Sequence, residues 1–174
     1  MISNNFVPEG INEYNVYQDG NKMIGLTEEV TLPEINQKTA TVEGPGIKGE
    51  IDSPTIGQFE SMEMSLKFRT LYSSATDLMN PTKTQNLTLR AAQQVYNRSG
   101  GYAFKSLRIV VAGRTKKYNP GTVKRGESMD AEVTLELTYI KIEVDGETVV
   151  EIDKLNDKYI VNGEDLLAAI NAMI

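Results

Sequence analysis

The stretch Ala131–Asp153, AEVTLELTYIKIEVDGETVVEID, constrains the fold of this chain more than any other. Ala131, Val133, Leu135, Leu137 and Tyr139 alternate with the polar Glu132, Thr134, Glu136 and Thr138. Successive side chains on a strand point to opposite faces, so this pattern predicts a strand with one buried and one wet face. After Tyr139 the phase slips by one, and Ile140, Ile142 and Val144 become the apolar set. A one-residue slip moves every later side chain to the other face, so it marks either a bulge or a strand whose second face meets another surface. Asp145-Gly146 supplies the positive φ angles of a tight hairpin turn, and Glu147–Asp153 is expected to return as the partner strand. A long hairpin of this kind predicts an all-β domain.

Other alternating stretches support that expectation. Met62, Met64, Leu66 and Phe68 fall on one face of Ser61–Phe68, with Ser61, Glu63, Ser65 and Lys67 on the other. The methionines read as core filling rather than as a ligand pocket. Leu87, Leu89 and Ala91 give Gln85–Tyr96 strand character, and Ser99-Gly100-Gly101 is a turn. Leu107, Ile109 and Val111 then line one face of Tyr102–Ala112. Near the start, Tyr14, Val16 and Asp19-Gly20-Asn21 predict a hairpin returning through Met23–Leu32, with Pro33 ending the strand. Helical spacing occurs twice. Leu71, Tyr72, Ala75, Leu78 and Met79 predict a short helix over Thr70–Met79, stopped by Asn80-Pro81. Leu166, Leu167, Ile170 and Met173 predict a C-terminal helix over Glu164–Ile174, with Glu164 and Asp165 where the helix dipole favours acids.

Two segments lack either period. Gln37–Gln58 holds Gly44, Pro45, Gly46, Gly49, Pro54 and Gly57 and is expected to be a long loop making partner contacts. Gly113–Met129 is expected to be a second polar loop, and six bases lie between Arg108 and Arg125. Bases around Tyr118 suggest nucleic acid, but the segment is short, broken by Asn119-Pro120-Gly121, and set in a chain of net charge −6, so a solvated or subunit-facing loop is the better reading.

Charge is distributed in blocks. Residues 1–60 hold ten acids and three bases, residues 61–130 four acids and twelve bases, and residues 131–174 ten acids and three bases. Scatter over a solvated surface is one account; a basic region of one copy meeting an acidic region of the next is the other.

The 174 residues suffice for one domain spanning 1–174 with its own core. No apolar run reaches the roughly 18 residues of a membrane span, so the monomer is not expected to insert in a bilayer. Met1–Gly10 has neither the basic start nor the apolar centre of a signal peptide, which predicts synthesis in the cytoplasm. The chain has no cysteine and no histidine, which removes thiolate chemistry, the commonest general base and the commonest transition-metal ligand. No metal or cofactor site is expected. Gly44-Pro45-Gly46 resembles a phosphate cradle but lacks a following helix. Glu28-Glu29 and Asp52 are candidate acid and base, yet strand carboxylates are ordinarily solvated, and catalysis is not expected.

Five stretches in order along the chain resemble the major tail tube protein of contractile-tailed bacteriophages and phage-tail-like bacteriocins. They are VYQDGNKMIGLTEEVTLPEI with the Leu32-Pro33 pair that ends the hairpin, EGPGIKGEID with Gly44, Gly46 and Gly49, SMEMSL at Ser61–Leu66, AGRTKKYNPGTVKRGE with Gly113-Arg114, and LTYIKIEVDGETVVEIDKLNDKYIVNGED with Val161-Asn162-Gly163. The first ten residues and Thr82–Tyr96 match weakly.

The resemblance implies a mainly β fold: a β-barrel or sandwich with a flanking short helix, a long stacking loop and a C-terminal helix. It implies six copies closing into a ring and rings stacking into a hollow tube inside a contractile sheath, with sheath, baseplate and terminator proteins as partners. The subunit would be made in the bacterial host cytoplasm and end in a virion tail or bacteriocin particle. The loop residues Gly44, Pro45, Gly46, Ile47, Lys48, Gly49, Ile51 and Asp52 would contact the adjacent ring. Arg114, Lys116, Lys117, Lys124 and Arg125 would form the complementary basic loop. A tube passing DNA should not bind phosphate, which predicts an acidic lining with Glu132 and Glu136 as candidates. The inner tube of a type VI secretion or other extracellular injection system fits the same residues. A secreted β-sandwich binding carbohydrate or protein is the reading from another class; the lack of tryptophan counts against it.

Overall fold

The computed structural model describes residues 6–174, and the side chains of all of these except Thr27 and Glu28. In chain order the strands are β1 (Phe6–Gln18), β2 (Asn21–Lys22), β3 (Leu26–Thr31), β4 (Gln37–Val42), β5 (Ile51–Phe59) and β6 (Glu63–Phe68). The helix α1 (Ser73–Leu78) precedes β7 (Gln85–Asn97), β8 (Gly101–Asn119), β9 (Ala131–Val144), β10 (Glu147–Asp153), β11 (Lys158–Val161), β12 (Glu164–Asp165) and the one-turn α2 (Ala168–Asn171). One ten-stranded antiparallel sheet runs β12-β11-β10-β9-β8-β7-β1-β2, with β6 also on β9 and β3 on β6; β4 and β5 form a separate two-stranded sheet.

The sheet forks at β9. Along one edge, Ala131–Glu136 pair with β6. Along that same edge, Tyr139–Val144 pair with β10. On the other edge β8 accompanies β9 throughout, and Thr138 is skipped: Ala112 faces Tyr139 while Gly113 faces Leu137. Thr138 is therefore a bulge, and it accounts for the phase slip in the sequence. The extra residue restores Ile140, Ile142 and Val144 to the side already occupied by Leu135 and Leu137. The strand changes partners where it bulges: Leu137 N donates to Met62 O (2.8 Å), and Lys154 N to Thr138 O (2.9 Å).

The core lies between the forked branches. Met62, Met64, Leu66 and Phe68 point inward as their alternation requires, and meet Val16, Leu87, Ile109, Leu135, Leu137, Ile140 and Ile152, all buried. Ala75 and Leu78 of α1 plug one end. That end is fixed by polar contacts: the Thr115 hydroxyl donates to Leu78 O, and Gln85 Nε2 to Asp77 O (3.2 Å).

Four sequence expectations are corrected. Gln37–Gln58 is a β-hairpin rather than an irregular loop, with Thr39–Val42 paired to Ile51–Pro54. It shows no period because most of its residues meet solvent on both faces. The polar loop begins after Asn119, since β8 continues through Gly113-Arg114. The return from the Asp19-Gly20 turn is confined to Asn21–Lys22; Met23 drops into the core and β3 pairs with β6 instead. The C-terminal helix shrinks to four residues because Asn162 and Gly163, with φ of 49° and 82°, turn the chain back as a hairpin. Glu164 and Asp165 then pair with β11, and of the apolar stripe only Leu167 is buried.

Gly113 leaves room for the bulge. A Cβ there would sit 2.3 Å from Glu136 O, a backbone atom that moves only with the ladder. Gly113→Ala is expected to destabilise the fold by about 1–3 kcal/mol, an overpacking cost. Thermal denaturation of the variant beside the unaltered chain checks this.

Candidate assembly surfaces

The β4–β5 hairpin projects from the domain as an arm. Gly44-Pro45-Gly46-Ile47 is a tight turn closed by Ile47 N donating to Gly44 O (3.0 Å). Proline presets φ at the second position, and Gly46 takes φ +95° at the third, as a type II turn requires. Residues 43–50 are all exposed. Val42 faces Ile51 across the hairpin, and both are exposed, as are Ile47 and Ile56. The acids Glu43 and Glu50 flank the turn, and Asp52 accepts a hydrogen bond from Thr41 (3.1 Å). All eight residues expected to make inter-ring contacts therefore lie at or near one arm tip.

The arm is rooted firmly. Phe59 meets Tyr159 edge to face with ring centroids 4.9 Å apart. Leu167 lies against Gly57. Glu60 N donates to Asn36 O (2.9 Å), and Lys154 Nζ to Glu60 O (2.7 Å).

The expected basic loop divides into two groups. Arg114, Lys116 and Lys117 stand on β8, whereas Lys124 and Arg125 lie on the loop beyond Asn119. Lys116 is bound to Glu63 and lies 3.7 Å from Glu136. Glu136 also lies 4.0 Å from Lys154 and accepts the Ser61 hydroxyl. Lys116 and Glu136, expected on separate surfaces, thus form one cluster on the wet face of the sheet. Glu132 sits on that face, opposite Lys67. The lysine bond holds the Glu63 carboxyl below its ordinary range and raises Lys116 in return.

The same wet face continues across β8, β9 and β10. Arg108 and Lys141 hold Glu143 at 3.0 and 2.6 Å. Lysine 141 first, then Arg108, keep that carboxyl low by hydrogen bonding. Lys158 pairs with Glu151 (2.9 Å), which also accepts the Tyr139 hydroxyl (3.0 Å). Part of the block pattern of charge is satisfied inside the chain: antiparallel β8 and β9 set the middle-segment bases Lys105, Arg108 and Lys116 beside the C-terminal acids Asp145, Glu143 and Glu136. Among the described residues Arg69, Arg114, Lys117 and Arg125 make no ion pair, nor do Glu43, Glu50 and Asp52.

Two apolar surfaces escaped the sequence reading. At the β7–β8 tip, Tyr96 and Tyr102 stack edge to face (centroids 5.5 Å), with Phe104 and Val7 exposed nearby on the same face. The signal was present: Tyr102 and Phe104 have the opposite parity to Leu107, Ile109 and Val111, so both faces of β8 are apolar along part of its length. An open groove of about 740 Å³ separates β1 from β3, lined by Ile11, Tyr14, Leu26, Val30, Ala91 and Leu107 among others.

Of the residues weighed for acid–base work, Glu29 and Asp52 do not converge. Glu29 faces Lys67 (3.5 Å), Asp52 is on the arm, and the Glu28 side chain lies outside the described residues. Among the described residues no group of acids has metal-holding geometry. Among the described residues no helix is long and apolar enough to cross a membrane.

A family model described as phage tail tube protein FII matches residues 8–174. The chain is 30% identical over 164 residues to the tail tube protein of Escherichia phage P2, covering 92% of this chain and 94% of that one. It is 26% identical over 160 residues to the major tail tube protein of Serratia phage KSP20, covering 92% and 91%. Its fold is similar to the sheath/tube terminator of an extracellular contractile injection system, PVC, solved by cryo-electron microscopy in the extended state. The TM-score is 0.56 at 13% identity, over 79% of this chain and 97% of the other.

Burial, and then the bond to Glu151, push the Tyr139 phenol up to about 12, and burial also raises Tyr72. A pKa raised on folding contributes stability that is complete below the unfolded value near 10 and is lost as pH rises toward 12. Tyr139→Phe is expected to flatten the fall in stability between pH 10 and 12, with Tyr72 leaving a remainder. Urea midpoints across that range check it.

Proposed function

The chain belongs to the phage tail tube protein FII family and is a structural tube subunit, and from that premise we propose how copies of it assemble. Copies close into a ring, six by the family resemblance, and rings stack into a hollow tube. The observation that carries this reading is the arm: a hairpin with exposed Val42, Ile47, Ile51 and Ile56 whose strands pair with no other strand among the described residues. Such a surface is uncommon on a self-sufficient monomer and fits contact with another chain. Contact of an arm with a different surface on the next copy is heterologous, and repeats without closing along the tube.

The mechanism is mechanical. The subunit performs no catalysis; the sheath contracts and drives the finished tube through an envelope, with baseplate and terminator proteins at its ends. The wet sheet face bearing Glu132, Glu136 and Lys116 is directed to the channel in this reading. It is not simply acidic: Lys116 is paired with Glu63 and Glu136, while Arg114, opposite Glu136, and Lys117, opposite Thr134, make no ion pair among the described residues. The carboxylates of Glu63, Glu132 and Glu136 on the same face repel phosphate and so oppose the binding of DNA.

A phage tail is favoured over a type VI or other injection apparatus because the named sequence relatives are phage tail tube proteins, whereas the likeness to the injection-system terminator is one of fold. Particle assembly in the host cytoplasm follows from the same membership.

Replacing residues 40–53 by Asn-Gly keeps the Thr39–Pro54 pair as the base of a shortened hairpin. The shortened chain is expected to fold and to form no long tube by negative-stain microscopy at concentrations where the unaltered chain does. Long tubes from the shortened chain would remove the arm from the contact between rings.

A further inference from the structure

Resting on the tube reading above, we propose that the arm of one copy is received by the opposite pole of a second copy, on an apolar spot of Ile24, Leu71 and Val123 rimmed by Arg69 and Arg125. Strand β6 separates the two poles. It begins beside the arm root, where Phe59 and Glu60 are anchored, and ends at Phe68 about 17 Å away at strand rise. At that far end, three segments are tied in series by backbone bonds. Arg69 N donates to Gly25 O (3.0 Å), Met129 N to Arg69 O (2.7 Å), and Thr122 N to Met129 O (2.8 Å). Ile24, Leu71 and Val123 each lie within two residues of this set and are brought to one end of the domain by it. They are 75%, 36% and 84% exposed, so the apolar surface there meets solvent.

Charge identifies the occupant. The arm tip carries Glu43, Glu50 and Asp52 against Lys48, and none of these acids has an ion-pair partner among the described residues. At the far pole Lys124 is held by Glu127 (3.2 Å), and Asp130 accepts the Ser128 hydroxyl. Arg69 and Arg125 are exposed and unpaired among the described residues. Apolar tip meets apolar spot, and acids meet arginines around it, the arrangement of a small desolvated centre with a charged rim. The arm's root and the receiver lie at opposite ends of β6, and every copy offers both at once. Growth along the tube then needs a single type of joint.

The chain has no cysteine, which makes disulfide trapping clean. In tubes grown from a chain carrying Ile47→Cys and Val123→Cys, oxidation is expected to give a covalent ladder well beyond the dimer on a non-reducing gel; either substitution alone should stop at dimers. Arg69→Glu with Arg125→Glu is expected to raise the concentration needed for tube growth about tenfold without changing the far-UV circular dichroism. Adding Glu43→Arg and Glu50→Arg should recover most of that loss. Tubes from the cysteine pair that run as monomers, together with unimpaired growth of the arginine variant, would overturn this docking while leaving the tube subunit intact. Impaired growth that the arm reversal does not recover, again with no ladder, assigns the pole to a different occupant and equally overturns it. An unaltered chain that forms no tube at any concentration overturns the assembly reading itself.

Discussion

The pairing of β9 is the constraint on which the rest of the structure depends. One strand of fourteen residues serves three neighbours, with β8 along one edge and β6 and then β10 along the other. A strand can change partners on one edge only where the ladder is interrupted, and the Thr138 bulge is that interruption. Because Gly113 leaves space opposite, the bulge costs little, and the two halves of β9 present their apolar residues to a common interior. The β6 branch and the β10 branch can then fold over one core. The N-terminal region joins the same sheet, β1 pairing with β7 and β7 with β8, and sends Val16 into the core.

Much of this was legible from residue order. Alternation gave the inward set of β6 and β9, and Asp145-Gly146 gave the turn of the β9–β10 hairpin. What stayed hidden has a physical cause in each instance. The arm gave no period because a hairpin with solvent on both sides is under no selection for an inward face. The last third of β8 was disguised by Arg114, Lys116 and Lys117, whose side chains stand on the wet face or at the local irregularity between Thr115 and Lys117. At the C-terminus, helical spacing in Leu166, Leu167 and Ile170 competed with Asn162-Gly163, and the hairpin turn prevailed because its strand gains ladder bonds at once, whereas a short isolated helix gains little.

The charge blocks show how far composition by segment can mislead. Read along the chain, a basic middle between acidic ends suggests surfaces meant for other copies. In space, Arg108 and Lys105 lie beside Glu143 and Asp145, and Lys116 beside Glu136, so part of the contrast is spent within the domain. The charges that make no ion pair among the described residues include the acids at the arm tip and Arg69, Arg114, Lys117 and Arg125. Long-range steering between copies is correspondingly modest, and close fit at the joints counts for more.

The way the arm is fastened bears on how such a tube would fracture. Its root is held by an aromatic edge contact, a leucine set on backbone and several short polar bonds, whereas its tip offers a handful of exposed aliphatic groups and screened charges. Load carried along the axis would therefore part the tip from its receiver before it drew the hairpin out of its own domain. A broken tube would shed intact subunits, ready to be used again, instead of unravelled chain.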